Sequence, residues 1–575
     1  MNFKRQIFSY KVLLCLSLTS IAISCKTADA PSDIPSSSIA TSAAVKDYSI
    51  VDRPHVSNVW VADQGNGTYK NPVLYADYSD PDAIRVGDDY FMTSSSFNTM
   101  PGLPILHSRD LVNWQLIGHA LQTQIPEEHY NVPRHGAGVW APSIRYDRGE
   151  FYIYWGDPDF GIYMVKTTNP AGPWEEPVLV KEGKGFIDPS PFWDDDGKAY
   201  LAHAWAASRA GVNSLLTVYQ MSEDGTKLLD KGKNVFSGHD QHHTVEGPKF
   251  YKRGDYYYLF APAGGVATGW QLILRSKDIY GPYEEKVVLE QGSTEINGPH
   301  QGALVDTKTG ESWFLHFQEV LPYGRILHLQ PVNWVDGWPL MGEDKDGNGI
   351  GEPVLSYQKP DVGQDYPIMT PAESDEFNSD TLGLQWQWHA NPKVTWSVML
   401  RDQGYLRLLM VGRKDSAINL WNTPNLLLQK FPAPDFTTTT KAELNLEWDV
   451  WQSKKAGLII MGNDYSYLAI NKNEDGYYVS QVICKDALSG GPEEVVATQP
   501  IKQSTAFLRV KVSAPDAMCT FSYSEDGRNF KPIGQSFMAQ LDKWIGAKVG
   551  IFADTQAGVR DGGYVDFDWF RITKD

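Results

Sequence analysis

Strand-like runs of apolar residues recur along the first two thirds of the chain in a repeating pattern. Five segments each combine one strand, a tight acidic or glycine turn, and a second strand rich in aromatic residues. They are Arg85–Met92, Tyr146–Ile153, Trp193–Leu201, Tyr251–Leu259 and Asp306–Leu315. The segments begin roughly every 50 to 60 residues, a period typical of four-stranded propeller blades. The pattern therefore predicts five blades.

A different pattern follows from Glu373 onward. Alternating strands such as Tyr405–Met410 and Phe507–Val512 are separated by Gly, Asn and Asp turns, which favours a two-sheet sandwich. The sequence thus predicts an all-β protein, a five-bladed β-propeller followed by a jelly-roll-like β-sandwich. The expected boundaries are 66–352 for the propeller, 353–371 for a proline-containing linker and 372–575 for the sandwich.

The N-terminus has the features of a bacterial export signal. A short basic start precedes the apolar run Val12–Ile23, and Ala22–Cys25 resembles a lipobox, in which the cysteine is lipidated after cleavage. The apolar run is too short for a transmembrane helix. We expect a lipoprotein signal over 1–25, a flexible tether over 26–65, and a location in the periplasm or on the cell surface. Simple secretion is the alternative.

Charge and cysteine content narrow the possible partners. The net charge of −19 argues against nucleic acid and anionic membranes, and it is compatible with a neutral polysaccharide. Beyond the signal, Cys484 and Cys519 remain; they either pair or stay as buried thiols. No Cys/His cluster has the spacing of zinc ligands.

Three carboxylates each lie one or two residues before a proline, shortly before a repeated hairpin. Asp80 precedes the first hairpin, Asp188 the third and Glu246 the fourth. At equivalent positions of different blades they would face one cavity, where paired acids can hydrolyse glycosidic bonds. Mutual repulsion would keep one of them protonated. Pro81 also predicts an extended backbone at Asp80.

Further motifs make the chain resemble a known family. Asn71–Leu74, Gly138–Pro142 and Gly298–Gly302 accompany the three acidic motifs in order. Residues 70–340 resemble glycoside hydrolase family 43, whose members are five-bladed propellers acting on arabinose- and xylose-containing polysaccharides. The C-terminal part resembles the sandwich of its β-xylosidase-like members. The family often has serine where this chain has Asp82.

The resemblance implies roles for individual residues. Asp80 would be the general base that activates water, and Glu246 the general acid that protonates the leaving oxygen. Asp188 would orient Glu246 and raise its pKa, in an inverting reaction that requires no cofactor. Arg325 would contact the substrate or the catalytic acid. His300 would touch an ion or a water near the propeller axis.

Three further residues are candidates for binding roles. Trp140 is placed to stack on a sugar face, with core packing as the alternative. Glu376 and Asp566 are candidate ligands of a structural calcium ion in the sandwich.

These features predict an exo-acting, inverting glycosidase. The preferred activity is release of terminal α-L-arabinofuranose from plant hemicellulose side chains, and the alternative is a β-xylosidase that releases terminal xylose. A non-catalytic carbohydrate-binding lipoprotein is the alternative of a different class. The expected partner is a polysaccharide or oligosaccharide, with no nucleic acid and membrane contact only through a lipid anchor. The oligomeric state stays open.

Overall fold

The computed structural model describes residues 48, 50, 54–414, 417–446 and 452–574. The expected signal peptide, with Cys25, lies outside these residues. Within them the fold is nearly all-β, as predicted, and two short helices, α1 (Glu127–Tyr130) and α2 (Ala207–Ala210), lie between propeller strands. No helix in this described part is long and apolar enough to cross a membrane.

The first four propeller blades are antiparallel sheets of four strands that follow one another in the chain. Two short strands, β1 (Thr68–Lys70) and β2 (Leu74–Asp77), precede them. The first blade contains β3 (Asp82–Val86), β4 (Asp89–Thr93), β5 (Gly102–Ser108) and β6 (Trp114–Leu121). The second contains β7 (Trp140–Asp147), β8 (Glu150–Asp157), β9 (Gly161–Thr167) and β10 (Val178–Glu182). The third contains β11 (Phe186–Trp193), β12 (Ala199–Trp205), β13 (Leu215–Met221) and β14 (Lys233–Ser237). The fourth contains β15 (Lys249–Arg253), β16 (Tyr256–Ala263), β17 (Trp270–Ser276) and β18 (Glu284–Leu289).

The fifth blade closes the ring by pairing with β2, the strand that precedes the first blade. Its own strands are β19 (His300–Asp306), β20 (Ser312–Val320), β21 (Gly324–Val335) and β22 (Trp338–Met341). Strand β2 adds to the free edge of β21, with Leu74 opposite Leu327 and Asp77 opposite Ile326. Because Asp80 comes directly after β2, this closure also brings Asp80 beside β21.

Two larger sheets form the C-terminal sandwich. Between the domains, in the expected linker, β23 (Ser356–Gln358) pairs back onto β1 of the propeller, and the first strand of the sandwich is β24 (Gln387–Trp388). The others are β25 (Ser397–Leu400), β26 (Tyr405–Leu409), β27 (Leu427–Lys430), β28 (Phe436–Asn445), β29 (Lys454–Met461), β30 (Tyr465–Asn473), β31 (Gly476–Cys484), β32 (Glu493–Ile501), β33 (Thr505–Ser513), β34 (Met518–Ser524), β35 (Lys531–Pro532), β36 (Phe537–Met538), β37 (Lys548–Thr555) and β38 (Tyr564–Thr573). Single 3₁₀ turns occupy Arg401–Gln403, Leu420–Asn422 and Ala487–Ser489.

Each sandwich sheet buries one face against the other. One sheet has the order β24-β27-β37-β29-β30-β31-β32, and the other has β25-β26-β38-β28-β33-β34-β35, with β36 beside β34. In β26 the buried residues are Leu406 and Leu408, at alternate positions. That alternation is the pattern of a half-buried strand, as the sequence predicted.

The two domains share an apolar boundary. Tyr323 of the propeller is buried within the sandwich core, and its hydroxyl donates to the carbonyl of Pro434 at 2.8 Å. A backbone bridge also joins the domains, where the amide of Met100 donates to the carbonyl of Trp388 at 3.0 Å. Loops of the sandwich are therefore fixed against the propeller.

Both described cysteines are free thiols. Cys484 and Cys519 are buried and unpaired, which decides between the two alternatives that the sequence left open. Burial raises the pKa of both thiols, so neither is an activated nucleophile.

Candidate active site

The innermost strand of every blade has a residue with left-handed backbone at or just before its start. These residues are Asp80 (φ 53°), Ala141 (φ 37°), Asp188 (φ 56°), Gly247 (φ 57°) and Gln301 (φ 34°). Proline follows the first four. The pairing register shifts at this point in three blades, as it does at a β-bulge. A bulge changes the direction of the side chains locally. Two successive residues of one blade can therefore both point toward the same site.

This geometry corrects two expectations from the sequence. Asp80 is left-handed rather than extended, because the ring closure and the turn before β3 outweigh the local preference imposed by Pro81. Glu246 is also not equivalent to Asp80 and Asp188, since Gly247 occupies their position. Glu246 belongs to the preceding position, which in the five blades holds Ser79, Trp140, Ile187, Glu246 and His300.

Asp80 is buried and surrounded by hydrogen-bond donors. Its Oδ2 accepts from Ser79 Oγ at 2.8 Å and from Ser95 Oγ at 2.5 Å. Arg325 Nη1 donates to Asp80 Oδ1 at 3.2 Å and also to Ser79 Oγ at 2.8 Å. These contacts fix the carboxylate in one orientation, which is what a general base needs.

Asp188 links the other two acids. It is buried, and its Oδ2 accepts from the backbone amide of Gly247 at 2.7 Å. Burial and then the neighbouring negative charges of Glu246 and Asp80 raise the pKa of Asp188 well above its usual range. The structure therefore brings all three predicted acids into one electrostatically coupled group. Through Gly247, Asp188 also anchors the backbone beside Glu246.

Glu246 is the most accessible of the three acids. Its side chain is 32% exposed, and its Oε1 lies 3.1 Å from His300 Nε2. The side chains of His300 and Asp80 are only 1% and 9% exposed. Glu246 is thus the carboxyl group that is best placed to meet a leaving group arriving from solvent.

Aromatic side chains from both domains line this region. Trp140 is half-buried, and its Nε1 donates to the carbonyl of Gly136 at 3.0 Å. Trp544 comes from the sandwich, and its ring centroid lies 6.2 Å from that of Trp140. The guanidinium of Arg325 lies 5.8 Å from the Trp544 ring and 4.9 Å from the Phe317 ring. The sandwich therefore contributes a wall beside the candidate base.

A buried network of charged residues packs against the first residues of the innermost strands. Lys249 is buried, and its Nζ donates to the carbonyl of Pro142 at 2.9 Å and to Ser143 Oγ at 2.8 Å. Asp82 Oδ2 lies 3.8 Å from Lys249 Nζ and accepts from Arg145 Nη1 at 2.6 Å. Burial lowers the pKa of Lys249, while Asp82 acts in the opposite direction. Asp82 therefore belongs to this buried charged network and does not line the pocket.

Comparison with known proteins identifies the family. Residues 69–339 match glycosyl hydrolases family 43, and residues 374–573 match the beta xylosidase C-terminal concanavalin A-like domain. A putative beta-xylosidase from Xylanibacter ruminicola is 40% identical over 491 residues, which cover 85% of this chain and 86% of the relative. The chain belongs to glycoside hydrolase family 43.

Other similar proteins carry two activity names. A beta-xylosidase from Formosa agariphila is 35% identical, with 89% of this chain and 91% of the relative covered. A non-reducing end alpha-L-arabinofuranosidase from Bacteroides ovatus is 31% identical, with 88% and 94% covered. The crystal structure of a xylan beta-1,4-xylosidase from Bacillus halodurans has a TM-score of 0.76 and 26% identity, with 88% of this chain and all of that chain covered.

The family assignment makes this protein a glycosidase rather than a non-catalytic binding protein. Family 43 enzymes need no cofactor for catalysis. The role of His300 toward an axial ion or water stays a prediction. Its Nε2 faces Glu246, and its Nδ1 is a buried atom without a hydrogen-bond partner.

The expected calcium ligands of this family 43 enzyme are engaged elsewhere. Glu376 forms a two-point ion pair with Arg571, at 2.6 and 2.7 Å. Asp566 does the same with Arg407, at 2.7 and 2.8 Å. The proposed pairing of Glu376 with Asp566 around a cation is therefore wrong, because each carboxylate is already neutralised by a different arginine.

Several site residues of the glycosidase were not predicted from its sequence. Ser95 and Lys249 carry no motif, and Trp544 lies about 300 residues beyond Glu246. The repeat does contain a signal for the positions that face the pocket. In four blades a proline occurs at the equivalent place, directly after the residue with left-handed backbone. Trp544 has no such signal, because only the docking of the sandwich places it there.

Proposed function

We propose that this protein is an exo-acting, inverting β-xylosidase that releases terminal xylose from hemicellulose-derived oligosaccharides. The observation that carries the proposal is the coupled group of Asp80, Asp188 and Glu246 beside a wall supplied by the sandwich. The names of the similar enzymes from Xylanibacter ruminicola and Formosa agariphila favour xylose over arabinose. This choice reverses the order of preference drawn from the sequence.

In the proposed reaction Asp80 accepts a proton from a water molecule as the water oxygen attacks the anomeric carbon. Glu246 donates its proton to the glycosidic oxygen as the bond from the anomeric carbon to that oxygen breaks. The products are a sugar of inverted configuration and an alcohol, with Asp80 protonated and Glu246 ionised. Inversion requires the two carboxyl groups to lie about 6.5–9.5 Å apart so that water fits between them. Asp188 holds the peptide that follows Glu246.

The aromatic wall formed by Trp140 and Trp544 supports the proposed exo mode. Trp140 and Trp544 approach each other from different domains near Asp80. Such a wall restricts the space for a chain that continues on both sides of the cleaved bond. A terminal sugar can enter the site, with the rest of the oligosaccharide toward Glu246 and solvent.

A second candidate activity is α-L-arabinofuranosidase. The relative from Bacteroides ovatus carries that name at 31% identity, and both sugars are pentoses with similarly placed hydroxyl groups. A bifunctional enzyme is consistent with relatives named xylosidase/arabinosidase, from Humicola insolens and Butyrivibrio fibrisolvens.

A paired assay tests the proposal. We expect a higher kcat/KM for 4-nitrophenyl β-D-xyloside than for 4-nitrophenyl α-L-arabinofuranoside, and proton NMR should detect the inverted anomer first. Asp80→Asn and Glu246→Gln should each lose at least about 100-fold in turnover on xylobiose while staying folded. Asp196→Asn, in an exposed hairpin turn, is the matched control. A retained anomer, or wild-type turnover in either active-site variant, would contradict the mechanism.

We also propose that the protein is exported and anchored by a lipid on Cys25. This proposal is supported by the lipobox-like sequence Ala22–Cys25. Growth with radiolabelled palmitate should label the wild-type protein and leave Cys25→Ala unlabelled. Equal labelling of both would contradict the anchor.

A further inference from the structure

The segment that carries Trp544 is tied to the propeller at both ends. We call residues Asp542–Gly546 the Trp544 loop. At its end, the amide of Gly546 donates to Asp77 Oδ2 at 2.9 Å. At its start, Asp542 Oδ2 lies 2.6 Å from His135 Nδ1, and His135 belongs to the propeller segment that leads into β7. The loop thus depends on propeller contacts for its position.

The bond between His135 and Asp542 is a buried ion pair. His135 Nε2 donates to the carbonyl of Trp421 at 2.8 Å, so both ring nitrogens of His135 face acceptors. Burial acts to raise the pKa of Asp542, but the charge and hydrogen bond of His135 outweigh it and lower that pKa. The two side chains are only 2% and 9% exposed. Loss of one partner of such a buried pair is costly, because it leaves an uncompensated charge.

The geometry favours a proton over a metal ion between these groups. His389 lies near the pair, and one nitrogen or oxygen from each of the three residues falls within 4.8 Å of the others. Two ligands of a tetrahedral zinc ion are about 3.3 Å apart, given bonds of about 2.0–2.1 Å. The separation of 2.6 Å between His135 and Asp542 is that of a charge-assisted hydrogen bond.

The same pair also sets the shape of the Trp544 loop. Asp542 Oδ1 accepts from the amide of Lys543 at 2.6 Å, and its own amide donates to the carbonyl of Ile545 at 2.8 Å. Gly136, next to His135, packs directly under the loop. A Cβ at Gly136 would lie 2.7 Å from the Lys543 side chain and 3.0 Å from Trp544 Cδ1. The position of His135 is therefore transmitted to the Trp544 ring by direct contact.

We propose that His135 and Asp542 are positioning residues, which hold Trp544 against the sugar site so that the sandwich takes part in substrate binding. The proposal rests on the proposed glycosidase function for its kinetic readout. Loss of a wall that contacts the ground state and the transition state equally raises KM and leaves kcat unchanged. Loss of general stability would instead lower the amount of active enzyme.

A double-mutant cycle with Trp544 tests the proposal. On the 4-nitrophenyl glycoside that the wild type cleaves best, His135→Phe keeps a ring against Trp421 and removes both hydrogen bonds. We expect it to raise KM by about 5-fold or more, with kcat changed by less than about 2-fold. Trp544→Ala should raise KM at least as much, and the double variant should match Trp544→Ala alone. His135→Gln, whose amide can still donate to Asp542, should restore most of the wild-type KM.

A matched control removes other contacts between the domains. Asn391 exchanges two hydrogen bonds with the backbone of Gln124, each 2.9 Å long, and neither bond involves the Trp544 loop. Asn391→Ala should lower the thermal midpoint and leave KM unchanged. The proposal is wrong if His135→Phe has the wild-type KM, or if its effect on KM persists in the Trp544→Ala background, which would point to a route through Gly136 and Trp140.

Two further readouts keep the test decisive. If His135→Phe does not fold, Asp542→Asn replaces it in the cycle, because asparagine can still accept from Lys543. If the wild type cleaves neither glycoside, the proposed function fails, and crystal structures of the wild type and the His135 variant decide instead. A displaced Trp544 ring would then support the positioning role, and an unchanged ring would overturn it.

Discussion

Asp157 provides a quantitative test of how burial controls charge in the propeller. This residue ends β8, is fully buried, and accepts from the Tyr130 hydroxyl at 2.5 Å and from the amide of Asp159 at 3.0 Å. Burial raises the pKa of Asp157 from 3.8 to about 7. The perturbation is Asp157→Asn, which keeps the size of the side chain and can keep both hydrogen bonds while removing the titration.

The sign of the effect follows from proton linkage. Between pH 4 and 7 the folded protein holds a proton on Asp157 that the unfolded chain has lost, so wild-type stability falls as the pH rises through this window. The difference of about 3 pKa units, at 1.36 kcal/mol each, corresponds to about 4 kcal/mol. Relative to the wild type, Asp157→Asn should therefore gain up to about 4 kcal/mol between pH 4 and pH 8.

Chemical denaturation at several pH values measures this gain. The free energy of unfolding of the variant, minus that of the wild type, should increase steadily from pH 4 to 7 and level off above. Asp402→Asn, in an exposed 3₁₀ turn, should give a pH-independent difference near zero. If the Asp157→Asn and wild-type profiles run parallel across this range, Asp157 is not a buried acid of raised pKa and the argument fails.

Three further predictions concern the site and its support. Arg325→Lys loses part of the contact with Ser79 and Asp80 and should lower kcat/KM by about 10- to 100-fold, since hydrogen bonds to charged groups contribute about 1.5–3 kcal/mol. A decrease below about 3-fold would count against this prediction. Lys249→Met removes the buried lysine that lies 3.8 Å from Asp82 and should cost about 3–5 kcal/mol of stability in denaturation experiments. The surface variant Lys308→Met should cost little. Equal losses in the two variants would contradict a stabilising role for the buried Lys249. Trp544→Ala should raise KM for xylobiose more than it lowers kcat. An unchanged KM would show that Trp544 does not contribute to substrate binding.

Local sequence was sufficient for the predictions that depend on short-range patterns. Blade hairpins such as Arg85–Met92 carry their own turn and strand signals, so their number and spacing predicted the propeller. The alternation in β26 predicted the sandwich for the same reason. The acids Asp80, Asp188 and Glu246 could be selected because each lies at, or one residue before, the residue that precedes a recurring proline. Such repetition brings residues that are far apart along the chain close together around an axis.

The sequence alone determined the class of fold, the family and the set of candidate acids, because each depends on spacing within or between repeats. Tertiary structure decided the rest. Ring closure by β2 overrode the local preference at Asp80 and placed Arg325 beside it. Docking of the sandwich brought Trp544 to the acids and joined His135 to Asp542. These contacts link residues that are hundreds of positions apart, and no periodic pattern encodes them, because each depends on how one folded surface fits another.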